Sequence, residues 1–177
     1  RGWIALYRGA LRGATDAFQT AGPYAGDRAA ATERTAMLAL LQQIPDDTLP
    51  ELGAALLTLA RGDSGASVAA LRRVAGRLAQ GGGRSDVLLL AGQIAARLDA
   101  AHEATAAGLF EEILRGGEEG SAPAAADLEW ARLLLRQGRA QDAVRRLEHL
   151  ILTYPGSAFV PEARRELERA RGAIPRS

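Results

Sequence analysis

The chain has no cysteine, no lysine and no asparagine, one methionine, and aromatic residues at only 5% of its 177 positions. Without cysteine there can be no disulfide and no thiolate metal site, and the redox compartment stays open. Without lysine every one of the 22 basic residues is an arginine. They are offset by 21 acidic residues, for a net charge of +1. A nucleic-acid binder carries a basic excess or stripe, so that class is disfavoured. Long hydrophobic runs are missing too. The best candidate, 87–96, is interrupted by Gln93 and falls short of the ~18 apolar residues of a membrane span.

What remains is rich in alanine and leucine, the composition of closely packed helices. Apolar spacing is helical throughout, and no segment alternates with the two-residue period of a strand. Breakers recur: Gly22-Pro23, Pro45-Asp46-Asp47, Gly62-Asp63, Gly81-Gly82-Gly83, Gly116 to Pro123, Gly138 and Pro155-Gly156. They predict an all-α chain of about ten helices. The chain begins at Arg1 without a methionine, as expected of a piece of something longer.

The clearest unit is 124–157, AAADLEWARLLLRQGRAQDAVRRLEHLILTYPGS. Leu128, Ala131 and Leu134/Leu135 mark a first helix, Gly138 a turn, and Ala143, Val144, Leu147, Leu150, Ile151 and Tyr154 one face of a second helix. Pro155 ends it. The spacing of Gly138, Ala143, Leu147 and Leu150 recurs as Gly9, Ala14, Phe18 and Ala21, and as Gly62, Ser67, Leu71 and Val74. Ala91-Gly92, Ala106, Phe110 and Ile113 repeat it again, with about two extra residues in the turn. Periods of 34–40 residues with helix–turn–helix content indicate stacked repeats. The expected division is a truncated first repeat at 1–22, an unpaired long helix at 27–44, divergent repeats at 48–80 and 85–116, the well-marked repeat at 124–157, and a capping helix at 158–172. The long helix carries Ala36, Met37, Leu40, Leu41 and Ile44 on one side. The capping helix has a narrow stripe of Val160, Ala163, Leu167 and Ala170.

The 34-residue unit resembles the tetratricopeptide repeat family. That resemblance implies a right-handed helical-repeat solenoid whose first helices line a concave groove that binds a protein or peptide partner. The step Tyr154-Pro155-Gly156-Ser157 before Pro161-Glu162-Ala163 is similar to tetratricopeptide proteins of the bacterial cell envelope, which favours a periplasmic or extracytoplasmic location. The family's carboxylate clamp uses Lys and Asn, both absent here. The positions that the resemblance points at the groove are Leu52, Leu56 and Leu59, then Leu89, Gln93 and Arg97, then Leu128, Arg132 and Arg136. A groove apolar at one end and Arg-lined at the other suits a segment with hydrophobic and acidic parts. The competing reading packs the leucines between repeats and leaves the arginines solvated or paired with Glu129.

No catalytic, cofactor-binding or metal site is legible. His102-Glu103-Ala104-Thr105-Ala106 opens like a zinc-protease motif but has Ala106 where the second histidine belongs. His149 reads as a surface residue. The acidic pairs Asp46-Asp47, Glu111-Glu112 and Glu118-Glu119 read as turns or solvated faces. Gly81-Gly82-Gly83-Arg84-Ser85 lacks the ending of a phosphate loop. The expected function is a non-enzymatic interaction scaffold. The alternatives are a docking domain of a larger enzyme or sensor, or a subunit that self-associates through Trp3, Leu6 and Tyr7.

Overall fold

A computed structural model describes residues 1–22, 27–117 and 119–174. Among these residues there are ten α-helices and no strand: α1 (Gly2–Tyr7), α2 (Leu11–Ala21), α3 (Arg28–Gln43), α4 (Pro50–Ala60), α5 (Ser64–Ala75), α6 (Arg84–Ala95), α7 (Ala100–Gly116), α8 (Ala122–Arg136), α9 (Ala140–Thr153) and α10 (Val160–Gly172). The break at Gly22-Pro23 and the acidic pair Glu118-Glu119 each include a residue outside the described set. The chain forms two compact units, 1–91 and 92–177.

Three of the helical hairpins close in the same way. At the end of α1, α4 and α8 a glycine takes positive φ: 75° at Gly9, 90° at Gly62 and 73° at Gly138. Such a backbone costs a side-chain-bearing residue roughly 1–2 kcal/mol, so glycine is required there. The glycine N–H donates to the carbonyl three residues back, and the next N–H to the carbonyl five residues back. The second bond runs from Ala10 to Ala5, from Asp63 to Thr58 and from Arg139 to Leu134, at 3.0, 3.2 and 2.9 Å. This is the Schellman closure of a helix C-terminus. The turn between α6 and α7 is longer and ends instead on Asp99, whose carboxylate caps α7 by accepting from the Ala101 N–H.

Across each hairpin a small residue of the first helix faces a large one of the second. A Cβ on Gly2 would sit 2.5 Å from the Phe18 ring, and one on Gly92 would sit 2.6 Å from the Phe110 ring. At the same register α4–α5 carries Ala55 and Leu71, and α8–α9 carries Ala131 and Leu147, all buried. Where the first helix gives up a methyl the second supplies a larger ring, so the filled volume stays near constant. One turn earlier on the second helix stand Ala14, Ser67, Ala106 and Ala143, all fully buried. Ser67 satisfies its hydroxyl by donating to the Ala55 carbonyl at 2.9 Å.

In the first unit α2 lies between α1 and α3, and α4 lies between α1 and α5. The helix over 27–44, expected to have no partner in the pairing scheme, rests on α2, while α4 packs on α1 and α5. Asp27 caps α3 at the Ala30 N–H, and the Arg34 guanidinium donates to the Gly22 carbonyl at the end of α2. Met37, Leu40, Leu41 and Ile44 are buried as the apolar stripe requires, but Ala36 is exposed. The contact of α4 with α1 is backbone on backbone. A Cβ on Gly53 would lie 2.5 Å from Gly9 N and 2.7 Å from the Leu6 carbonyl. The loop before α4 adds hydrogen bonds from the Leu49 N–H to the Gly9 carbonyl and from the Arg12 N–H to the Asp47 carbonyl.

In the second unit α7 packs on α8, α8 on α9 and α9 on α10. One core joins Leu128, Ala131 and Leu134 of α8, Ala143, Leu147 and Leu150 of α9, and the Val160–Ala163–Leu167–Ala170 stripe of α10. Each buried leucine contributes about 1.5–3 kcal/mol relative to exposure. The arginines of α10, from Arg164 to Arg171, stay on the solvent side.

Candidate interaction surface

The residues expected to line a groove meet different fates. Leu128, at 2% exposure, belongs to the core of the second unit, and Leu52 and Leu56 are buried in the first. These three are corrected to packing residues, because an apolar face adjacent to another helix is covered before it can serve a partner. Leu59 and Leu89 are half-buried. Gln93 is half-buried, and Arg97 and Arg136 are exposed. The Arg136 guanidinium donates to the Ala96 carbonyl at 2.9 Å, which sets the C-terminal ends of α6 and α8 side by side. Beside it the Gln137 amide donates to Glu103 of α7 at 2.8 Å.

Arg132 is the largest departure from the expected Arg-lined face. It is held by Glu129 of its own helix at 3.0 Å, by a short contact to Glu162 of α10, and by Glu166 at 3.9 Å. Burial alone would make the guanidinium easier to deprotonate, but the Glu129 and Glu162 carboxylates outweigh it and push its pKa up. Arg132 thus ties α8 to α10. The polar candidates that remain are Gln93, Arg97 and Arg136, while the Arg132 cluster keeps an excess of carboxylate, with Glu129, Glu162 and Glu166 around one guanidinium.

The N-terminal patch also changes. Leu6 is fully buried, so the proposed self-association triad loses its middle member. Trp3 stands edge-on to Phe18 at 5.0 Å and beside Tyr7 at 6.1 Å. Burial and the carboxylate of Glu33 push the Tyr7 phenol pKa up. The exposed apolar residue of α1 is Ile4.

A second constellation was not anticipated. Asp127 of α8 is fully buried and holds two partners from α9. His149 Nδ1 lies 2.5 Å from one carboxylate oxygen, and Arg146 lies 3.4 Å from the other. The Arg146 guanidinium sits 4.8 Å above the Trp130 ring, and His149 meets Tyr154 edge-on at 6.0 Å. Burial raises the Asp127 pKa, against the pull of His149 and Arg146. Burial and the Asp127 charge raise that of Tyr154. The one sequence signal was a polar residue inside the alanine-rich start of α8. His149, read as a plain surface residue, is half-exposed and anchored.

Near Tyr154 a shallow depression of about 450 Å³ opens between Ser121, Ser157 and Phe159. A smaller hollow of about 200 Å³ in the first unit is edged by Glu51, Arg73 and Arg77. Among the described residues no three His, Asp or Glu side chains gather so as to hold a metal ion. None of the described helices is long and apolar enough to cross a membrane. Comparison with known proteins gives no match, whether by family model, by sequence against curated proteins or by fold against solved structures. The functional reading therefore rests on geometry.

Proposed function

We propose that this chain is a tetratricopeptide-like solenoid, right-handed in its stacking, that holds a protein or peptide segment and performs no chemistry of its own. The observation that carries the reading is the hairpin closure repeated at Gly9, Gly62 and Gly138. The small-to-large register from Gly2/Phe18 to Ala131/Leu147 supports it. Units that bury only part of their apolar face alone and complete the burial on neighbours are the physical basis of repeat scaffolds. In the second unit the contact side chains are Gln93, Arg97 and Arg136, and Arg132 serves as a brace.

A bait made of the full chain tests this against an extract of the source organism. A partner retained by the wild type is lost from the Arg97→Glu/Arg136→Glu variant while helicity by circular dichroism is unchanged. Equal retention by both rules out this face. Retention lost equally in an Arg61→Glu control reduces the effect to bulk charge.

A further inference from the structure

The two histidines form a natural comparison. Each places Nδ1 against an aspartate: His102 at 2.7 Å from Asp99, and His149 at 2.5 Å from Asp127. Their rings are similarly open to solvent, at 36% and 41%. The aspartates are not alike. Asp99 is 70% exposed and also caps α7, whereas Asp127 is 0% exposed and is fixed between α8 and α9. An exposed carboxylate exchanges its partner for water readily. A buried one holds the imidazole in a single tautomer and orientation, with Nδ1–H toward the carboxylate and the lone pair on Nε2. His149 Nε2 has no hydrogen-bond partner among the described residues, on a side chain that is 41% exposed.

We propose that His149 is a phosphoryl-acceptor site, modified at Nε2 by small donors with good leaving groups such as acyl phosphates and phosphoramidates. The reaction is a substitution at phosphorus. The Nε2 lone pair forms the new N–P bond, the donor's bond to its leaving group breaks, and with phosphoramidate that group departs as ammonia. No oxidant or metal is needed, and the proton stays on Nδ1, donated in a hydrogen bond to the Asp127 carboxylate. Arg146, on the second oxygen of the same carboxylate, keeps a permanent cation in the neighbourhood of the incoming anion. This site is independent of the scaffold reading.

The test uses the full chain with potassium phosphoramidate near neutral pH, and locates phosphohistidine by mass spectrometry without acid treatment. His149 is modified about tenfold faster than His102, the equivalent of one hydrogen bond to a charged group. Asp127→Asn, which can turn either its oxygen or its amide toward Nδ1, brings the rate at His149 down to that of His102. His149→Gln leaves only the slow His102 signal. Equal rates at the two histidines of the wild type overturn the proposal, and that comparison holds even if a variant fails to fold. An unchanged rate at His149 in folded Asp127→Asn overturns it as well.

Discussion

The two units join their hairpins differently. In the second, each second helix receives the first helix of the next pair or the last helix: α7 meets α8, and α9 meets α10. In the first, α3 takes that place on α2, and α4 falls on α1 instead. The consequence is chemical. The junctions of the second unit are made of side chains, such as the Leu147–Ala163 core and the Arg132–Glu162 brace. The α1–α4 junction is made of backbone, with Gly9 and Gly53 in contact and the Leu49 N–H bonded to the Gly9 carbonyl. An inserted helix therefore changes which residues must be small.

The comparison breaks most easily at these glycines. Gly9→Ala adds a methyl 2.4 Å from Pro50 Cα at a φ of 75°. Strain and overpacking together cost ~3–4 kcal/mol, read as a lower urea midpoint at unchanged slope. Gly53→Ala behaves similarly without the φ term. A loss below that of Gly138→Ala would dissolve the distinction between the junctions.

Next in size is Gly92→Ala, which pushes on the Phe110 ring and costs about 1–3 kcal/mol. Phe110→Leu in the same molecule recovers most of that loss, because Ala opposite Leu is the combination found at Ala131/Leu147. Strictly additive losses would refute the shared register.

Arg132→Gln leaves Glu129, Glu162 and Glu166 facing one another and costs roughly 1 kcal/mol, given partial exposure of the pair. Unfolding that is unaffected would make the brace incidental.

Asp127 supplies a pH test of the second unit. Its folded pKa is raised, so its contribution to stability is fully present below the ordinary carboxylate range and is lost as pH rises through the folded value. Relative to Asp127→Asn, the wild type gains stability as pH falls from neutral. The opposite slope in urea titrations would show that the partners, not burial, dominate. Among the glycine changes Gly138→Ala is the mildest. No atom lies within 4 Å of the added methyl, so only the φ cost of about 1–2 kcal/mol remains.

Much of the fold was legible because it is local. Gly9, Gly62 and Gly138 announce their turns, and Met37, Leu40 and Leu41 announce the buried face of α3. Which neighbour covers that face is not local, so the spacing shows α3 as outside the pairing scheme and does not show that it rests on α2. For the same reason Leu56 and Leu128 read as groove residues. A helical stripe tells which side is apolar and not whether a partner or the chain itself covers it. Asp127 was missed because its partners lie 19 and 22 residues away, on another helix. Nothing in the spacing of one helix shows that a carboxylate is balanced from the next.

The central claim is that α4 packs on α1 because α3 occupies α2. It is tested most directly by solution NMR of the intact chain. The account predicts nuclear Overhauser contacts between the Gly53 α-protons and the Gly9 amide, with a through-hydrogen-bond coupling from the Leu49 amide to the Gly9 carbonyl. Their absence, with α4 protons contacting α2 instead, would contradict it.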